Sequence, residues 1–186
     1  QDGARRAADD GASAERDHNQ RTPVADVLVV FTTLAAEIGG GEDAVSNRIE
    51  NALLSANLAY ENSGAQLTLR TMRVLPIDYQ ESGSSGIDLG RLRVFGDGHL
   101  DEVHLWREFY GADIVALVTY ANEYCGRAYV QYYPGAGFSE SAFSVTSLRC
   151  IGGDTLSHEI GHNLGCLHDR DNTGAHPTLD YAYGFR

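Results

Sequence analysis

Twelve consecutive residues limit the fold of this chain more than any others: His158, Glu159, Ile160, Gly161, His162, Asn163, Leu164, Gly165, Cys166, Leu167, His168 and Asp169. The pattern is H-E-x-x-H-x-x-G-x-x-H-D. On a helix, His158 and His162 are four residues apart and share a face, so their imidazoles can converge on one cation. Glu159 points in a neighbouring direction, where a carboxylate can hold a proton beside a metal without ligating it. If the helix continued, His168 would sit about 15 Å beyond His158, too far to share a metal whose nitrogen ligands lie at about 2.0–2.1 Å. Gly165 resolves the conflict, because glycine enters the left-handed region at low cost, ends the helix and lets the chain fold back. Three imidazoles leave a fourth coordination position for water, the open arrangement of a catalytic zinc rather than the closed one of a structural site. Without such a partner, three histidines and a carboxylate would be costly to bury together.

The rest of the chain suits one domain around this segment. Its 186 residues are 42% apolar and 22% charged, which fits an ordinary globular domain and excludes a disordered or collagen-like chain. No run of 18 apolar residues is present, so no membrane-spanning helix is expected. The net charge is −12 and every cation is Arg, so a phosphate backbone would find no basic surface and nucleic acid is not an expected partner. Residues 1–21 contain no Val, Ile, Leu or aromatic residue and read as a flexible tail or propeptide remnant. Residues 22–186 form the expected domain. The chain begins at Gln1 with no signal-peptide pattern, and any targeting segment is expected to have been removed already.

Within the domain, VADVLVVFTT after Pro23 suits a strand buried on both faces. Val45, Ile49, Leu53, Ala56 and Tyr60 recur at helical spacing, with Gly64 as the stop. Residues 66–75 alternate as a strand, 83–86 read as a loop, and Leu100, Val103, Leu105, Trp106 and Tyr110 form a second helical stripe. Residues 112–120 read as another buried strand, and SAFSVTSLRC as one more, ending at Cys150. Strand, helix, strand, helix, strand predicts an α/β (α+β) domain with helices on a mostly parallel sheet.

HEIGHNLGCLHD resembles the extended zinc motif of the metzincin metallopeptidases, and the Asp after the third His resembles their reprolysin (adamalysin) branch. YCGRAYV, FSVTSLRC and YAYGFR around it resemble secreted bacterial reprolysin-like proteases and the peptidyl-Asp metalloendopeptidases. The resemblance implies a twisted sheet of about five strands with an antiparallel edge strand above a cleft. It implies that His158, His162 and His168 ligate one Zn2+, that Glu159 is the general base, and that extended protein or peptide substrates are cut internally. In that mechanism zinc polarises the scissile carbonyl and lowers the pKa of its water, while Glu159 takes the proton and delivers it to the leaving amine. The SAFSVTS strand, with Ser144, Val145 and Thr146, is expected to be the antiparallel edge that binds substrate by strand addition. The domain would divide into an upper part, 22–165, and the start of a lower part, 166–186.

Metzincins carry a methionine turn downstream of the third His, whereas the only Met here is Met72, so the chain is expected to be truncated or processed before that turn. Cys125 and Cys150 are the expected disulfide; Cys166 then either pairs outside this chain or is a buried free thiol. Asp169 is expected to orient the loop after His168. Tyr181 and Tyr183 are candidates for lining the pocket after the cut bond. A Ca2+ site from Asp169, Asp171, Asn172 and Asp180 is conceivable, although nothing in the sequence fixes its geometry. His99 and His104, five apart, do not share a helix face, and His176 precedes a proline in a loop; none is assigned a metal. The rival reading is a catalytically impaired fragment or a non-catalytic zinc-binding domain of the same fold. A retained Glu159 argues against the latter.

Overall fold

The computed structural model describes residues 22–120, 123–133, 135–174, 179 and 182–184; the segment 1–21, Asp180, Tyr181 and His176 lie outside them. Five strands form one sheet: β1 (Val24–Thr32), β2 (Thr68–Ile77), β3 (Ile114–Thr119), β4 (Gly126–Ala128) and β5 (Phe143–Ser147). Five helices accompany them: α1 (Thr33–Gly39), α2 (Glu42–Ser63), α3 (Ser85–Arg93), α4 (Asp101–Tyr110) and α5 (Thr155–Asn163). The sheet order is β2-β1-β3-β5-β4, with every pairing parallel except β4 with β5.

The alternation of β1 explains the layering. Val27, Val29 and Phe31 face α1, α2 and α5, packing with Ile49, Leu53, Leu156 and Ile160. Leu28 and Val30 face the other way, into a second core with Leu89 and Leu92 of α3 and Leu100 and Val103 at α4. A strand covered on both sides has no polar face, which is why residues 27–31, VLVVF, are continuously apolar. Full burial of each such side chain is worth about 1.5–3 kcal/mol.

The expected order of strands and helices is present, with Gly64 capping α2 in a left-handed conformation. Two short helices were not foreseen. The residues read as a loop, 83–86, run into α3, which starts at Ser85, and α1 follows β1 directly, capped by the Thr32 hydroxyl accepting from the Ala35 amide at 3.0 Å.

The expectation for SAFSVTS is overturned. β5 is an interior strand that runs parallel to β3, pairing Val115 with Phe143 through Thr119 with Ser147. The antiparallel edge is the three-residue β4, in register Gly126 to Thr146, Arg127 to Val145 and Ala128 to Ser144. Ser144, Val145 and Thr146 are fully buried and present no surface for a substrate. Hydrogen bonding explains the placement: with β3 on one side and β4 on the other, β5 has no open edge to offer.

Candidate metal centre

α5 carries the first half of the centre. It packs Leu156 and Ile160 into the core below the sheet, which leaves the His158 and His162 side of the helix facing outward. The helix ends at Asn163, and Gly165 adopts φ 97°, the left-handed turn that a side chain would strain. The Gly165 amide donates to the His162 carbonyl at 3.0 Å and the Cys166 amide to the Gly161 carbonyl at 2.9 Å, closing the helix end. The chain then reverses, and Leu167 bridges to Tyr183.

This reversal brings the third histidine home. His168 Nε2 lies 3.1 Å from His158 Nε2 and 3.2 Å from His162 Nε2. Nitrogens bound at about 2.0–2.1 Å to one tetrahedral ion stand about 3.3–3.4 Å apart, so two of the three separations are already near the spacing that a metal requires, and all three ligand atoms lie within 4.8 Å of one another. His162 Nδ1 sits 2.7 Å from the Cys166 carbonyl oxygen, which can only accept; Nδ1 therefore carries the proton and Nε2 is left as a ligand atom. Burial, then the neighbouring imidazoles, hold His158 below the usual histidine pKa. Burial also lowers His162, against the opposing pull of the Cys166 carbonyl. Neutral rings are the form that binds a metal. These three are the group of side chains able to hold a metal ion among the described residues.

Glu159 lies on the adjoining side of α5, only 5% exposed, against β4. Burial pushes its carboxyl up to about 7, with the Arg127 charge pulling the other way. No described residue donates a hydrogen bond to it. A cleft of about 680 Å³ beside the three imidazoles is lined in part by Tyr60, Ser157, Leu167 and Asp169.

Several features hold helix and edge strand together. The Cys125–Cys150 disulfide is present, its Cα atoms 5.5 Å apart, tying the residue before β4 to the turn that leads into α5. Asn163 is buried, and its Nδ2 donates to the Tyr129 carbonyl at 2.9 Å and the Phe143 carbonyl at 3.1 Å. Sequence reasoning passed over Asn163, Gly126 and Arg127. The signal for Gly126 was a lone glycine at the head of a strand, which marks a close approach of backbone to something else.

The remaining candidates are placed as follows. Asp169 accepts from the Asp171 amide and from Asn172 Nδ2, fixing the turn directly after His168. Asp180, the fourth residue of the conceivable calcium site, lies outside the described residues. Tyr183 is half-buried with the Arg170 guanidinium 4.1 Å from its ring centroid, whereas Tyr181 lies outside the described residues. Cys166 is a free, exposed thiol. His104 bonds the Leu92 carbonyl between Phe95 and Phe143, and His99 packs edge-on to Tyr79, both apart from the centre.

Fold and site together define a class: a mostly parallel α/β domain with a three-histidine metal cradle and a buried acid under an edge strand. Residues 21–183 match metallo-peptidase family M12, in its Reprolysin_5 branch, and the chain belongs to that family. It is 33% identical over 162 residues to a peptidyl-Asp metalloendopeptidase of Xanthomonas campestris and to one of Stenotrophomonas maltophilia, covering 86% of this chain and 37% of each relative. A peptidyl-Asp metalloendopeptidase of Pseudomonas aeruginosa is 32% identical over 157 residues, covering 77% of this chain and 25% of that protein. The chain thus spans a little over a third of the length of the first two relatives. A solved structure described as a chaperone-substrate complex shares the fold with a TM-score of 0.66 at 22% identity, covering 87% of this chain and 28% of that one.

Proposed function

We propose that this chain is the catalytic domain of a zinc endopeptidase that cuts internal bonds of extended polypeptides beside acidic residues. The observation that carries the reading is the convergence of three imidazole nitrogens at the end of one helix, with a desolvated carboxyl on the residue next to His158. His158, His162 and His168 hold the zinc. When bound there, the ion supplies Lewis acidity toward a carbonyl oxygen and lowers the pKa of water. Glu159 accepts the proton of the attacking water and passes it to the departing amide nitrogen.

The substrate lies along β4, whose outer side pairs with no described strand, and adds to the sheet as a further strand. This moves the expected binding edge from residues 144–146 to residues 126–128. Arg127, whose guanidinium donates to Ser85 Oγ at 3.2 Å and whose charge reaches Glu159, is the cation on this edge strand for an acidic substrate side chain. The peptidyl-Asp specificity in the relatives' names supports that preference. We assign the chain from residue 166 onward to the start of a lower subdomain, in which Tyr183, bridged to Leu167, is the candidate for the substrate pocket. No described helix is long and apolar enough to cross a membrane, and the disulfide favours an oxidising, extracellular setting.

The test is digestion of a mixed peptide library with zinc, with chelator and with Glu159→Ala, read by mass spectrometry. Cuts that need both zinc and Glu159, clustered beside Asp or Glu, support the reading. Bound zinc with no cuts favours the non-catalytic alternative, and cuts indifferent to acidic residues overturn the specificity.

A further inference from the structure

β4 opens on Gly126, which is half-buried and paired with Thr146. Its φ is not positive, unlike those of Gly165 and seven other glycines, so the backbone here does not itself demand glycine. The space does. A Cβ built on Gly126 would fall 2.6 Å from Glu159 Cγ and 2.7 Å from its Cδ, and closer still to Oε1. Carbon atoms in folded proteins essentially never approach below 3.0 Å. The Glu159 side chain therefore lies directly across the bare Cα of the edge strand.

The helix cannot retreat to make room. Asn163, one turn beyond Glu159 on the same side of α5, is bonded to the carbonyls of Tyr129 and Phe143, and both bonds would break. The strand is fixed as well, by the Cys125–Cys150 disulfide at its start and by its pairing with β5. Leu156 and Ile160 are buried on the core side of the helix, so it has no slack to roll. An added methyl at 126 can be accommodated only by moving the carboxylate.

We propose that Gly126 is a positioning residue: its missing side chain is the seat that holds the Glu159 carboxylate at the edge of the three-histidine centre. The catalytic consequence rests on the endopeptidase reading; the seat itself does not.

The experiment is a double-mutant cycle of Gly126→Ala and Glu159→Ala in the full chain, with zinc content, Tm and peptide-cleavage kinetics measured on each protein. Gly126→Ala is expected to keep its zinc and lower kcat about a hundredfold with KM changed less than about threefold, as a misplacement near 1 Å would do. Its Tm should fall. In the Glu159→Ala background the same methyl enters vacated space, and Tm should not change. Unchanged kcat in Gly126→Ala, or an equal fall in Tm in both backgrounds, overturns the proposal. If Gly126→Ala fails to fold while the double variant folds, the seat is supported; if both fail, it is overturned. If the parent protein binds zinc but cuts nothing, the endopeptidase reading falls and the Tm cycle still decides the seat.

Discussion

Two buried carboxyls occupy opposite faces of the sheet, and their surroundings could hardly differ more. Asp88 on α3 is fully buried, and its Oδ1 accepts from the Tyr79 hydroxyl at 2.6 Å and the Ser82 amide at 3.0 Å. Arg91 donates in turn to the Tyr79 hydroxyl at 3.2 Å. The group fastens α3 to the chain leaving β2. Burial, reinforced by Asp88, pushes the Tyr79 phenol up to about 12. Glu159 on α5 is nearly as deep but has no donor among the described residues, and lies against the bare Cα of Gly126 instead. Burial alone therefore does not mark a working acid. Asp88 still keeps one oxygen, Oδ2, buried without a partner, whereas neither Glu159 oxygen is enclosed in that way, and a desolvated acid that no neighbour engages is available for chemistry rather than for fastening.

That contrast can be broken by mutation, beginning at the metal. His162→Ala should abolish stoichiometric zinc binding and with it all cleavage, measured by metal analysis and peptide assay. Glu159→Ala should keep zinc and lose about a thousandfold or more in kcat, while its Tm changes little because no donor among the described residues loses a partner. A clear fall in Tm would place Glu159 in the same structural class as Asp88.

Asp88→Ala should show the reverse profile: a loss of about 1–3 kcal/mol in denaturant unfolding, from leaving the buried Tyr79 hydroxyl without its acceptor, with activity per folded molecule retained. The smallest effect is expected for Tyr79→Phe, about 1 kcal/mol near neutral pH. Because the folded state raises the Tyr79 pKa from 10.0 to about 12, its stabilisation is complete below about pH 10 and is lost as pH rises toward 12. Melting curves of the parent should therefore fall more steeply across that window than those of Tyr79→Phe. Parallel slopes would remove Tyr79 from the linkage.

Local pattern made much of this legible. The 3.6-residue recurrence in α2, the apolar runs of β1 and β3 and the Gly64 cap are properties of single segments, and each appears where its spacing predicts. The short elements escaped. α3 contains two glycines in nine residues and α1 spans seven, too little for periodicity to stand out, so both rely on packing against the sheet. β4 has three residues, too few for a pattern, and the edge assigned to residues 144–146 from the family resemblance gives way to long-range pairing that buries Ser144 and Thr146.

By itself the sequence determined the candidate ligand set: the i, i+4 spacing of His158 and His162, the glycine that ends their helix and the histidine beyond it are local geometry, fixed by backbone dihedrals. Only the tertiary structure decided which strand lies open to a substrate and what holds Glu159 in place. Strand order depends on long-range pairing, and the seat at Gly126 arises between residues 33 positions apart in sequence, whose meeting no local preference encodes.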